Sequence, residues 1–235
     1  MELIQGKNLV LYEDNHLIII RKNASDIVQG DQTGDTPLNE KVKQFLIEKY
    51  NKPGNAFVGT IHRIDRPVSG LLIFSKTSKA LARMNKMFQE KSIQKTYWAI
   101  VEKKPPQGNG TLTDFLAKNT KKNKSFVVEN DQKGAKKATL DYQLMASSDR
   151  YYLLEVKPKT GRHHQIRVQL SFMGCPIKGD VKYGARRANK DASIHLHARA
   201  VAFMHPVKKE QVVIKAPVPE HDNLWQVMTK LVKEK

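Results

Sequence analysis

The feature that most constrains this chain is the run His62-Arg63-Ile64-Asp65-Arg66-Pro67-Val68-Ser69-Gly70-Leu71-Leu72-Ile73-Phe74-Ser75-Lys76. Pro67 and Gly70 punctuate a turn, and the apolar stretch 71–74 after them has the length and composition of a buried strand. One carboxylate, Asp65, sits at the mouth of that strand between Arg63 and Arg66. Flanking guanidiniums favour the ionised form of such a carboxylate. An ionised Asp on rigid backbone can act as nucleophile, general base or metal ligand, or it can simply pin a loop through an ion pair.

Elsewhere the hydrophobic pattern changes period several times. Residues 8–21 read as two short strands around the turn Glu13-Asp14-Asn15, followed by a polar loop at 30–35. Pro37 opens a helix with Leu38, Val42, Phe45 and Leu46 on one face, and a second helix over 78–91 turns Leu81, Met84 and Phe88 inward. The 94–102 strand alternates, so Tyr97, Ala99 and Val101 share a side. Residues 103–137 carry Lys118, Lys121, Lys122, Lys124, Lys133, Lys136 and Lys137, a charge run read as a phosphate-contacting arm ahead of a merely solvated hairpin. Ala138, Leu140, Tyr142 and Leu144 alternate, as do Tyr152, Leu154 and Val156, which predicts antiparallel neighbours. A helix is predicted from Thr160-Gly161 through Met173 with Gly174 as its C-cap. Strands over 193–203 and 211–215 and a C-terminal helix burying Leu224, Met228, Leu231 and Val232 complete the chain. Strands and helices without a regular βαβ rhythm predict an α+β fold with a mixed, mostly antiparallel sheet.

Length and absence of internal repeats predict one catalytic domain over residues 1–235. The formal net charge of +18 points to a polyanionic partner, nucleic acid before an acidic membrane surface. The single cysteine, Cys175, excludes an internal disulfide and a Cys-cluster metal site. The start shows no signal-peptide pattern, and no apolar run approaches the roughly 20 residues of a membrane span. These features predict a cytoplasmic protein, with monomer as the default state. A phosphate-cradling Gly loop and a nicotinamide fingerprint are both missing.

The run at 62–76 resembles the signature of the RluA-type pseudouridine synthases, His-Arg-Leu-Asp-Arg-x-Thr-Ser-Gly-Leu-Leu, with Ile64 and Val68 as mild departures. Three further blocks resemble that family in its own order. They are Lys95-Thr96-Tyr97-Trp98-Ala99, then Thr160-Gly161-Arg162-His163-His164-Gln165-Ile166-Arg167 continuing through Gly179-Asp180 to Tyr183-Gly184, then Leu196-His197-Ala198 with His205-Pro206. The family's Asn-Lys-Pro-x-Gly is here Arg21-Lys22-Asn23-Ala24-Ser25, which predicts an altered loop at the rim of the site. The family frequently carries an N-terminal S4-type RNA-binding domain; with the opening strand near residue 9, none is expected here.

The resemblance implies a pseudouridine-synthase fold, a bent sheet with a central RNA-binding cleft, and isomerisation of uridine to pseudouridine in ribosomal or transfer RNA without metal or cofactor. It assigns Asp65 as the essential carboxylate, Arg167 as its partner and Tyr97 as the residue stacked on the flipped base and the candidate acceptor of the C5 proton. Ile166 and Leu196 would wall the uracil pocket, and Arg63 would enter the RNA stack and help extrude the nucleotide. Arg162, His62 and Gln165, inside the same motifs, are expected to bind substrate. Two rivals are a metal site built on His195 and His197, and a protein of this fold that binds or folds RNA with little turnover.

Overall fold

The computed structural model describes residues 10–30 and 34–233. In chain order the strands and helices are β1 Val10–Glu13, β2 Leu17–Lys22, α1 Leu38–Lys49, β3 Gly59–Thr60, β4 Ser69–Ser75, α2 Ser78–Gln89, β5 Gln94–Val101 and β6 Asn109–Asn119. There follow β7 Lys124–Val128, β8 Lys136–Ser147, β9 Tyr152–Pro158, α3 Gln165–Phe172, a 3-10 turn Val181–Tyr183, β10 Leu196–Met204, β11 Gln211–Lys215 and α4 Asn223–Lys233. The readings of residues 8 and 9 as strand and of 31–33 as loop lie outside the described residues. The fold is α+β, with a mixed, largely antiparallel arrangement of strands. Contacts gather into two compact units, Met1–Lys95 with Ala198–Val218 and Thr96–His197 with Pro219–Lys235.

In the first unit the strand order is β1-β2-β4-β10, with β3 on β4 and β11 on β10. Every residue of β4 is buried, as its continuous apolar run predicts for a strand covered on both faces. Ile18, Ile19 and Ile20 of β2 lie opposite Phe74, Ile73 and Leu72. Leu38, Val42 and Leu46 of α1 pack onto Ile18, Ile20, Leu72 and Phe74, the helix face expected from their spacing. At the β1–β2 turn, Asp14 Oδ1 accepts the N–H groups of His16 and Leu17, each at 2.8 Å. The Asp14 Oδ2 faces Nε2 of fully buried His205 at 2.9 Å. Nδ1 of His205 accepts the N–H groups of Val207 and Lys208, so in the neutral ring the proton is on Nε2, the nitrogen beside the Asp14 carboxylate. The His-Pro block at 205 is therefore a clamp between two turns.

In the second unit the order is β5-β9-β8-β6-β7, every neighbouring pair antiparallel. Tyr142 and Leu144 lie opposite Val156 and Leu154, in the register expected from alternation. Strand β5 departs from simple alternation, because Trp98, Ala99, Ile100 and Val101 are all buried and both faces are covered there.

Helix α3 begins at Gln165 and not at Thr160, so Arg162 and His163 stand on a turn ahead of it. Two local features stop the helix from extending backwards. His164 takes the left-handed conformation (φ 54°), and the Gln165 side-chain oxygen accepts both the Thr160 hydroxyl (2.7 Å) and the Arg162 N–H (3.0 Å). At its other end Gly174 closes the helix as expected. Its N–H donates to Ser171 O and that of Cys175 to Leu170 O, the paired bonds of a Schellman motif. Strand β10 starts at Leu196, three residues later than the pattern predicts. Helix α4 buries Trp225 and Met228, whereas Leu224, Leu231 and Val232 are half-buried. The bulky indole, which stacks on the His195 ring, takes the inner place that the apolar spacing gave to smaller residues.

Candidate active site

The turn carrying Asp65 is fixed from beneath by a residue that sequence reasoning missed. Lys22 closes β2 and is fully buried at 0% exposure. Its ammonium donates to the carbonyl oxygens of Asn23 (2.9 Å), Arg66 (3.0 Å) and Val68 (2.7 Å), one acceptor for each proton. The Ser25 N–H donates to the same Arg66 carbonyl, and the Val68 N–H donates to Asp65 O, closing the turn. Burial pushes the Lys22 pKa down to about 7, Asp26 and Asp65 pull it upward, and Arg66 pushes it further down. Ser25 adopts φ 74°, a conformation that a glycine at that place would take without strain, so the altered loop bends through the left-handed region there. A lysine at the end of an apolar strand gives no hydropathic sign of such a role.

Asp65 itself is half-buried. Of its flanking guanidiniums, Arg66 pairs with Asp35 at 2.6 Å and the exposed Arg63 reaches Gln29 Oε1 at 3.4 Å. His62 is engaged inside the protein. The Ile73 N–H donates to its Nε2 at 3.1 Å, and its ring stacks on Phe88 with centroids 5.1 Å apart. Enclosure, reinforced by the charge of Lys95, pushes its pKa down to about 3, so the ring is neutral with its proton on Nδ1. Gly70, at the start of β4, has φ 116°, and a Cβ there would lie 2.4 Å from the Ala198 carbonyl oxygen. Only glycine lets the strand leave the Asp65 turn so close to that backbone.

The second group of predicted residues clusters on the turn and first helical residues at 160–167. Arg167 is buried, and its guanidinium grips Asp180 through two parallel bonds, Nε to Oδ2 at 2.7 Å and Nη2 to Oδ1 at 2.8 Å. The guanidinium carbon lies 5.1 Å from the centre of the Tyr183 ring. The Tyr183 hydroxyl accepts the Ser125 N–H (2.9 Å) and lies 2.8 Å from His164 Nδ1. Asp180 and Tyr183 thus fix one edge and one face of Arg167, a role that their place in the Gly-Asp…Tyr-Gly block does not reveal.

Gln165 is also buried, and its Nε2 donates to Thr139 O at 3.1 Å while its oxygen holds the turn ahead of α3. Arg162 is exposed, with Nε donating to Lys137 O at 3.0 Å. Ile166 and Leu196 are buried at 7% and 4% exposure. Tyr97 is half-buried on β5 opposite Val156 of β9. The structure thus brings His62, Arg63 and Asp65 together in one unit, and Arg162, Gln165, Ile166 and Arg167 together in the other. The histidines of the rival metal reading are tied into packing. His195 Nε2 lies 3.0 Å from Asp222 Oδ2, and His197 meets the edge of Trp225.

A family model described as RNA pseudouridylate synthase matches residues 16–172, a span that includes the Asp65 turn, Tyr97 and Arg167. The chain belongs to the RNA pseudouridylate synthase family. It is 35% identical over 218 residues to a ribosomal large subunit pseudouridine synthase C of Buchnera aphidicola subsp. Acyrthosiphon pisum, covering 90% of this chain and 67% of that one. It is 30% identical to a tRNA pseudouridine synthase C of Vibrio parahaemolyticus, covering 92% of both. Among solved structures it is similar in fold to human RNA Pseudouridylate Synthase Domain Containing 4, with a TM-score of 0.78, 22% identity and 95% of this chain covered. As in other pseudouridylate synthases, the reaction to be explained is the isomerisation of uridine within RNA.

Proposed function

We propose that this pseudouridylate synthase converts uridine to pseudouridine at particular positions of structured ribosomal or transfer RNA, with Asp65 as the essential carboxylate. The observation that carries this reading is the Asp65 turn. A buried ammonium collects the Arg66 and Val68 carbonyls just after the aspartate, so the carboxylate rides on backbone held from below. Positioning to within about an ångström governs whether such a group works.

The isomerisation breaks the N1–C1′ bond of uridine, turns the detached uracil and joins C5 to C1′. The C5 proton leaves and N1 gains one, so the product has the composition of the substrate. Asp65 supplies the charge that acts on the sugar or the ring. Arg167, with its Asp180 fork on the Nε side, serves that carboxylate as its cationic partner. Tyr97 lies against the base and is our candidate for receiving the C5 proton. Ile166 and Leu196 form apolar walls for the uracil, and exposed Arg63 takes the place of the extruded nucleotide in the RNA stack. Arg162, His62 and Gln165 complete the substrate side, the last two by holding the turns that bear their neighbours. We read residues 1–235 as one catalytic domain, because the family match runs through both compact units. We place the protein in the cytoplasm as a monomer; among the described residues no helix is long and apolar enough to cross a membrane.

The test uses unmodified transcripts of large-subunit ribosomal RNA and of tRNAs. Each is incubated with purified protein, digested to nucleosides and separated by chromatography. One pseudouridine per modified site should form in at least one RNA class. Tight binding of both classes with no pseudouridine would favour a protein that binds RNA without turning it over.

A further inference from the structure

The β6–β7 hairpin presents an aromatic ring to solvent on a lysine-rich stretch of chain. Between residues 115 and 128 the chain holds Lys118, Lys121, Lys122 and Lys124 and no acidic residue. One face of the hairpin is core, where Leu116 and Val127 pack with Ala138, Val168 and Tyr183. Phe126 belongs to the other face, opposite Ala117, and is 38% exposed. The tip is shaped by an Asn119 Oδ1 that accepts the Lys122 N–H (3.0 Å), and Lys182 from the 3-10 turn donates to Asn123 O (3.3 Å). Among the described residues none of these five lysines pairs with a carboxylate.

The exposed ring is also joined to the residues that hold Arg167. The Lys124 ammonium lies 5.4 Å from the centre of the Phe126 ring and 5.0 Å from that of Tyr183, and the Arg167 guanidinium lies on Tyr183 in turn. An exposed phenyl beside the Lys124 ammonium, on a hairpin whose lysines pair with no carboxylate among the described residues, matches what unpaired RNA needs, a flat apolar surface for a base and cations for its phosphates.

We propose that the outer face of the β6–β7 hairpin binds an unpaired stretch of the RNA substrate, one base stacking on Phe126 while Lys121, Lys122 and Lys182 hold the adjoining phosphates. This rests on RNA being the substrate, as proposed above, and adds that the recognised RNA must offer a splayed, single-stranded nucleotide to this hairpin.

The test uses Phe126→Trp and Phe126→Leu proteins with a substrate RNA and a fully duplexed RNA of equal length. The native tryptophans, Trp98 and Trp225, are both buried and give a steady background. Stacking should quench the new indole with the loop-bearing RNA and much less with the duplex. Phe126→Leu should weaken binding about five- to a hundredfold, the loss expected for one base–aromatic stack. That loss should fall on Kd and KM more than on kcat, with the salt dependence of binding unaltered. A double Lys121→Ala, Lys122→Ala protein should instead lower the slope of log K against log salt by about 1.4. Unquenched indole fluorescence during tight RNA binding, or a Phe126→Leu protein with wild-type Kd, would overturn the proposal. Quenching in a protein that never forms pseudouridine would support this surface and count against the proposed reaction.

Discussion

Burying an ammonium group costs several kcal/mol unless its donors are met, and Lys22 meets that demand with three carbonyl oxygens around the Asp65 turn. Replacing it with methionine keeps the volume and deletes the donors. We expect Lys22→Met to bind RNA with near-normal affinity while kcat falls by about a hundredfold, the effect of a misplaced catalytic group. Activity within twofold of wild type would reduce Lys22 to a packing residue. The same group leaves a signature in stability. Its folded pKa of about 7 lies below the ordinary 10.5, so between those values the unfolded chain binds the extra proton. Its contribution to stability is therefore present at high pH and lost as pH falls through about 7. Between pH 7 and pH 9 the melting temperature of the wild type should rise relative to that of Lys22→Met. At this scale the sequence was legible where a motif repeats, as in the blocks around Asp65 and Arg167 that the family model spans. It was silent where a role depends on which carbonyls a side chain meets, as for Lys22, or on which guanidinium it braces, as for Asp180 and Tyr183.

At the scale of elements, two glycines with positive φ separate two different demands of the backbone. Gly174 ends α3 at φ 87° with nothing within 4 Å of the place a methyl group would occupy, so only conformational strain opposes a side chain there. Gly70 starts β4 at φ 116° with the Ala198 backbone inside 3 Å of that place. Urea unfolding should show Gly174→Ala less stable by about 1 kcal/mol, and Gly70→Ala less stable by about 3 kcal/mol or more because backbone has to move. Equal losses would mean that the close approach at Gly70 relaxes without cost. Apolar spacing announced α1, β4 and the β8–β9 register because burial on one face, or on both, enforces the period. It misplaced the start of α3 because the left-handed His164 and the Gln165 amide stop the helix through hydrogen bonds, which hydropathy does not register. It overlooked Trp225 because a single indole can fill the place of several smaller side chains.

At the scale of the whole molecule, a net charge of +18 and membership of the pseudouridylate synthases point to the same substrate class by independent routes. Charge supplies attraction to any polyanion; in our proposal the motif residues confine the chemistry to one base. The measurement that tests this most directly is release of tritium from RNA labelled at uridine C5, with wild-type and Asp65→Asn proteins side by side. Joining C5 to the sugar expels its hydrogen, so the wild type should release tritium into water up to one equivalent per target site. The Asp65→Asn protein should bind the RNA and release none above background. Release by Asp65→Asn at a rate near wild type would contradict the role given to Asp65, and absence of release from either RNA class by the wild type would contradict the reaction itself.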